Sequence, residues 1–263
     1  MSELLYEKDG QIATITLNRP DRMNAISGPM LMALSERLIE ADNDRDVRCI
    51  IITGAGRAFC AGLDLQDASS GTGIGGGGEP RVTATLDLRT APPTVLHSID
   101  TPTIAALNGG AAGYGMDLAL GCDIRVASDK SKLAAAFTKR GVLPESGGTW
   151  LLPRLVGWAK AAEIIFTGRT LSAEQCLELG LVNVVVPHDE LEKQTLVLAE
   201  EIASNAPLAV QASKRMMRAA MSEGFDDHVH HVFLQLLPLF QSKDFREGMM
   251  SFLEKREPRF EGR

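Results

Sequence analysis

The sequence is poor in the features that hold metals, nucleic acids or membranes. Its 263 residues include four cysteines, Cys49, Cys60, Cys122 and Cys176. They stand singly, with no CxxC pair and no histidine at zinc spacing, so neither a disulfide framework nor a metal site is expected; they read as buried thiols of a reducing compartment. HExxH is absent. Basic residues are outnumbered, 27 Lys and Arg against 34 Asp and Glu, for a net charge of −7. That excludes a general nucleic-acid binder but leaves room for a small anion held by a local cluster of Arg and Lys. No run reaches the roughly 18 apolar residues of a membrane-spanning helix. The opening MSELLYEKDG has early acidic charge and no apolar run, so no secretory signal is expected. A soluble, cytoplasmic protein is the expectation. Mean hydropathy near zero, with 44% hydrophobic residues, is enough for a real core and excludes wholesale disorder.

Two phosphate-binding signatures are also incomplete. Gly54-Ala55-Gly56 follows an apolar run, but the third glycine of a dinucleotide fingerprint is replaced by Phe59. The low-complexity stretch Ser69–Pro80 (SSGTGIGGGGEP) lacks a strand before it and a helix after it, and reads as a surface loop.

What the chain does have is an alternation of strands and helices. LLYEK, the pair Asp9-Gly10 and QIATITL read as a hairpin. Ser27 and Pro29 are placed to start a helix whose apolar positions run Leu31, Leu34, Leu38, Ala41. VRCIIITG is a continuous apolar run, the pattern of a strand covered on both faces. TPTIAAL, a glycine-rich turn, a short helix and IRVAS repeat the theme. The fold class expected is α/β with crossover connections. After Leu171 the pattern turns helical, over Ala173–Leu179, Asp189–Ser204, Leu208–Met221 and Asp226–Leu239, and the chain ends in an amphipathic helix with a basic tail. A core over residues 1–200 and a C-terminal helical module over 201–263 are expected.

Two glycine-bearing turns are the candidate chemistry. Ala58-Phe59-Cys60-Ala61-Gly62-Leu63-Asp64-Leu65 and Asn108-Gly109-Gly110-Ala111-Ala112-Gly113-Tyr114-Gly115-Met116-Asp117-Leu118 each follow an expected strand and precede an expected helix. Backbone N–H groups at such a turn lack helical acceptors, and the helix dipole favours negative charge beside them. Two such turns meeting at one point would form an oxyanion hole. Either turn alone is equally well explained by close packing of its neighbours.

The stretches LNRPDRMNAI, CIIITGAGRAFCAGLDL, PTIAALNGGAAGYGMDLALGCDIRVAS, GVLPESGGTWLLPRLVG and AAEIIFTGRTLSAEQCLELGLVNVVVP, in that order, resemble the crotonase (enoyl-CoA hydratase/isomerase) family over nearly the whole chain. The resemblance implies a spiral of ββα units with a C-terminal trimerisation module, assembled as a homotrimer or a dimer of trimers. It implies an acyl-CoA substrate, coenzyme A entering as part of that substrate with no tightly bound cofactor. It assigns the oxyanion N–H groups to Leu63 and Tyr114. It brings coenzyme A near Arg22, Asn24, Ala61, Gly62, Asp64, Leu65 and Gly113, with Lys255 of the last helix also in reach. The acyl pocket is expected from the Gly-rich loop and Val82–His97.

The carboxylates separate the branches of the family. By the resemblance, the hydratase branch uses two glutamates; the first position holds Asp117 and the second Phe137, which can do no acid–base work. A third position, after Leu143-Pro144, holds Glu145, where double-bond isomerases of the family carry their carboxylate. The expectation is an enoyl-CoA isomerase with Glu145 as acid/base and Asp117 as helper; the neighbours Val142, Leu143 and Trp150 would raise the pKa of Glu145. Hydration by Asp117 with Glu145, and acyl-CoA binding without catalysis, are the alternatives. Asp117 also suits the first turn of a helix, and Glu145 the cap of one beginning near Ser146. His228, His230 and His231 read as a solvated helix face.

Overall fold

The computed structural model describes residues 2–64 and 89–263. Leu65, the segment Ser69–Pro80, and Leu86 and Leu88 of the expected acyl pocket lie outside the described residues.

Strands β1 (Leu4–Asp9) and β2 (Ile12–Leu17) pair antiparallel with Asp9 opposite Ile12. The two turn residues are therefore Gly10 and Gln11, one position later than the Asp9-Gly10 pair suggested. Gly10 has φ 56°, the left-handed conformation that a glycine adopts without a Cβ clash at the first central position of such a turn. Helix α1 (Gly28–Asn43) starts as expected: the Ser27 hydroxyl accepts from the Met30 N–H at 3.1 Å, and Leu34, Leu38 and Ala41 are buried.

The remaining strands come in pairs that divide between two sheets. Strands β3 (Cys49–Gly54), β5 (Thr103–Leu107), β7 (Ile124–Ser128) and β10 (Val184–Val186) join β1 and β2 in a six-stranded sheet of order β1-β2-β3-β5-β7-β10, parallel from β2 onward. Strands β4 (Ala58–Cys60), β6 (Gly110–Ala112), β8 (Lys132–Ala134) and β9 (Thr170–Ser172) form a four-stranded sheet in that order. Each of β3–β4, β5–β6 and β7–β8 thus contributes first to the large sheet and then to the small one. Helix α3 (Tyr114–Gly121) follows the second pair directly, and α2 (Pro92–Ser98) precedes it. This is the ββα spiral that the sequence led us to expect.

Side-chain alternation in β3 explains why its run is apolar throughout. Ile50 and Ile52 face the main core with Ile15, Leu17, Phe59 and Leu107. Cys49 and Ile51 face a second cluster with Ile104, Val126, Leu191 and Ala199, so the strand is covered on both faces.

Helices α4 (Gly148–Val156), α5 (Trp158–Thr167), α6 (Ala173–Glu178), α7 (Leu191–Ala203), α8 (Pro207–Ala219), α9 (Phe225–Gln241) and α10 (Lys243–Glu254) complete the described chain. Helix α7 covers the large sheet through the second cluster. The later helices are tied back by polar contacts. Arg48 donates to the Ala203 carbonyl at 3.0 Å and the Phe260 carbonyl at 2.6 Å. Lys214 pairs with Asp123 at 2.7 Å, and Arg218 with Asp100 at 2.6 Å. Among the described residues no helix is long and apolar enough to cross a membrane.

Candidate active site

The strand-to-helix turns bring two backbone segments together. After β4 the chain turns at Gly62, whose φ of 104° a residue with a Cβ rarely adopts. A Cβ there would stand 3.0 Å from the Ala112 carbonyl oxygen and 3.7 Å from the Tyr114 nitrogen, so the two turns touch at this point. Helix α3 begins at Tyr114, with Gly113 before it at φ 53° and no side-chain cap. Its first N–H groups therefore have no helical acceptor. Among the described residues, neither the Leu63 nor the Tyr114 N–H has a hydrogen-bond acceptor.

Leu63 and Tyr114 line one cavity of about 870 Å³, and Asp117 and Glu145 line it too. Residues from α1 (Leu31, Met32, Ser35), α2 and the turn before it (Thr90–Thr94, Leu96, His97) and α4 (Trp150, Leu151) supply most of the remaining wall. Part of the expected segment Val82–His97 thus borders the cavity. Trp150 is held on two sides: the His97 ring meets it edge-on with centroids 5.3 Å apart, and the Arg154 guanidinium lies 3.9 Å over its ring. Burial, then the nearby Arg218 and Lys214 charges, lower the pKa of His97.

The two carboxylates differ in setting. Asp117, in the first turn of α3, is 2% exposed. Its Oδ2 accepts from the backbone N–H groups of Ser146 and Gly148, each at 3.2 Å. Burial pushes its pKa up to about 7; the two N–H groups pull the other way, and the Glu145 charge adds a further upward push. Glu145 is exposed at the cavity wall, and partial desolvation raises its pKa. It does not cap α4: the capping position is Gly147, with φ 103° and no side-chain bond. Tyr114 has its phenol pKa raised, chiefly by burial and then by Cys60, Glu145 and Asp117. Its hydroxyl and the Ser35 hydroxyl are buried and, among the described residues, have no hydrogen-bond partner. Phe137 is 4% exposed.

The other residues assigned by resemblance form the flank of the Leu63 turn. Arg22 donates to Asp64 at 2.9 Å, and Arg19 pairs with the same carboxylate at 3.1 Å and with Glu3 at 3.0 Å. Asn24 is fully buried: its amide donates to the Ala55 and Ala58 carbonyls, and its oxygen accepts from the Arg19 N–H. The Asn24 side chain therefore braces the loop. Ala61 donates to Met23, Ile26 to Gly62 and Asp64 to Ile26, at 3.0, 2.8 and 3.0 Å, which zips the loop onto the turn. Arg22, Asn24, Ala61, Gly62, Asp64 and Gly113 are not among the cavity walls. Lys255 ends α10 in the left-handed conformation, exposed, and no described contact brings it to the cavity.

The remaining polar candidates stay outside the cavity. All four cysteines are free and buried, each with a pKa pushed up to about 12 chiefly by burial, so they are thiols rather than thiolates. His228 and His231 share the Glu223 carboxylate at 3.0 and 2.9 Å. Among the described residues no cluster of three or more His, Cys, Asp or Glu could hold a metal ion. Sequence reasoning missed the Ser146 and Gly148 N–H groups that Asp117 accepts from; the adjacent glycines Gly147-Gly148 were the available signal of a close approach.

A family model described as enoyl-CoA hydratase/isomerase matches residues 7–263. The chain is 37% identical to the 1,2-epoxyphenylacetyl-CoA isomerase of Escherichia coli, over 100% of both chains. It is 34% identical to the short-chain-enoyl-CoA hydratase of Clostridium acetobutylicum, covering 98% of this chain and 97% of that one. The crystal structure of an enoyl-CoA hydratase from Bacillus anthracis superposes with a TM-score of 0.91 at 34% identity, over 100% of both chains. The chain belongs to the enoyl-CoA hydratase/isomerase (crotonase) family, and with it to enzymes of the isomerase or lyase class.

Proposed function

We propose, from that family membership, that the protein shifts the double bond of an enoyl-CoA thioester, with Glu145 as the single acid/base. The thioester carbonyl oxygen is held by the N–H groups of Leu63 and Tyr114. The Glu145 carboxylate takes a proton from C2 of a 3-enoyl thioester, the negative charge spreads over a dienolate onto the carbonyl oxygen, and Glu145, its proton having exchanged with solvent, delivers a proton to C4. One base suffices because a proton is removed from, and a proton delivered to, the same side of a planar intermediate. The raised pKa of Glu145 suits a group that must both accept and return a proton.

The observation that carries this reading is the convergence of Leu63, Tyr114 and Glu145 on one cavity. At the second hydratase position stands the buried phenyl ring of Phe137. The cavity's mostly apolar wall, with Trp150 and His97, suits a bulky acyl chain. Coenzyme A is part of the substrate, its nucleotide end lying against the Arg19–Asn24 loop. Hydration of a 2-enoyl-CoA is a second reading, favoured by one fact: Asp117, with a pKa near 7, borders the same cavity.

The assembly expected from the resemblance is part of the proposal. No residue of α9 is buried, and Phe225, Val229, Phe233 and Phe240 stand exposed on it, an apolar face suited to a second and third copy of this chain. Light scattering should give three or six chains; a monomer would overturn this part.

The test of the reaction is a pair of incubations in heavy water, one with a 3-enoyl-CoA and one with a 2-enoyl-CoA, followed by mass spectrometry. A shifted double bond with deuterium uptake is the expected result. Addition of water to the 2-enoyl thioester would move the assignment to hydration, and no change with either would leave acyl-CoA binding.

A further inference from the structure

The sequence treats Asp117 and Glu145 as two acids of one reaction. Their surroundings give them different work. Helix α4 starts at Gly148 behind a capping residue, Gly147, that has no side chain to satisfy the helix's first N–H groups. That task falls to Asp117, which lies 31 residues earlier on another helix and accepts the Gly148 N–H. The same oxygen accepts the Ser146 N–H, directly after Glu145. A Cβ on Gly148 would overlap the Asp117 carboxylate, so the turn rests on that carboxylate in close contact. Asp117 is buried and occupied by the turn, whereas Glu145 is exposed at the cavity wall.

We infer that Asp117 is a positioning residue: its carboxyl oxygen clamps the 145–148 turn to α3 and so fixes Glu145 against the oxyanion site, without moving a proton itself. This rests on the reading of Glu145 as the base and assigns the two carboxyl groups of the site separate roles. Because both N–H groups go to one oxygen, an asparagine oxygen in that place can hold the same turn. Protonated or ionised, Asp117 keeps an acceptor toward Ser146 and Gly148.

The test compares wild type, Asp117→Asn, Asp117→Ala and Glu145→Gln in the full chain with a 3-enoyl-CoA. Asp117→Ala should lose roughly 10–100-fold in kcat with little change in KM, the loss that a displaced base produces. Asp117→Asn should restore most of that turnover and keep the acid limb of the wild-type pH–rate profile. An Asp117→Asn variant as inactive as Glu145→Gln would overturn the inference, because the carboxylate itself would then be moving protons. So would an Asp117→Ala variant with wild-type kcat. Amide hydrogen exchange over residues 143–150 reads the clamp without any substrate. Exchange should be slow in wild type and in Asp117→Asn, and at least about tenfold faster in Asp117→Ala; equal exchange in all three would overturn the clamp. If wild type does not isomerise the substrate, the assignment of the reaction fails while the exchange result still decides the clamp. Should Asp117→Ala fail to fold, Gly148→Ala displaces the turn with the carboxylate intact, and wild-type turnover in that variant would overturn the inference.

Discussion

Gly148 is without a side chain because the Asp117 carboxylate occupies the space in which its Cβ would stand. The two residues are 31 positions apart, on α4 and α3, and their contact is the point where the turn carrying Glu145 meets the helix carrying the Tyr114 N–H. Substitution there reports on both stability and geometry. Gly148→Ala should destabilise the protein by about 1–3 kcal/mol, the usual cost of an extra methyl in a filled site. Urea unfolding measures it, and a variant as stable as wild type would mean that the carboxylate has room to retreat.

The acidity of Asp117 links the same contact to pH. Its pKa, pushed up from 3.8 to about 7 mainly by burial, means that the folded protein keeps a proton which the unfolded chain gives up. Stability from this group is full below about pH 4 and is lost as pH rises toward about 7, by at most about 1.4 kcal/mol per pH unit. Asp117→Asn has no such proton. Melting temperatures of the two proteins should therefore shift in favour of the variant as pH rises from about 5 to about 7.5. A gap that stays constant over that range would show that Asp117 is ionised throughout.

Gly62 is the other conformationally demanding position, with φ 104° and the Ala112 carbonyl 3.0 Å from where a Cβ would sit. Gly62→Ala should twist the turn that presents the Leu63 N–H. A loss of about 10²–10³-fold in kcat is expected, the size of effect seen when an oxyanion donor is lost. Steady-state kinetics checks it, and a variant with unchanged kcat would remove Leu63 from the proposed hole.

Asp64 should matter to stability more than Arg22, its partner at 2.9 Å, because its side chain is 3% exposed and that of Arg22 39%. Asp64→Asn leaves the mostly buried Arg19 guanidinium without this carboxylate and is expected to cost about 3–5 kcal/mol. Arg22→Gln removes a half-exposed pair and should cost under about 1 kcal/mol. Equal losses in urea unfolding would contradict this ordering.

How far the sequence carried is clearest at particular positions. Ser27, Pro29 and the spacing of Leu34, Leu38 and Ala41 were enough to place α1, because caps and helical periodicity are local. The apolar run of β3 announced a strand covered on both faces. The expected bounds of α6 to α9 differ from the observed ones by no more than two residues at any end. Less was legible where distant segments meet. Asp9-Gly10 is a strong hairpin signal, yet the pairing of Asp9 with Ile12 moves the turn by one residue, since strand register is decided across the sheet. The short strands β4, β6, β8 and β9 give little periodicity to read, so the small sheet emerged only with the fold. A cap for α4 from Glu145 was the alternative reading, because capping is usually local; the acceptor comes instead from Asp117. The bonds from the Asn24 amide to the Ala55 and Ala58 carbonyls join segments more than 30 residues apart, so they too were not legible in the sequence.

The most direct measurement of the central proposal separates binding from turnover in Glu145→Gln. Affinity for a non-reacting acyl-CoA and kcat for a 3-enoyl-CoA would be measured on the same preparation. Loss of the base should leave Kd within about threefold of wild type while kcat falls about 10²–10⁴-fold. A variant that still isomerises the substrate at the wild-type rate would contradict the assignment of Glu145 as the group that moves the proton.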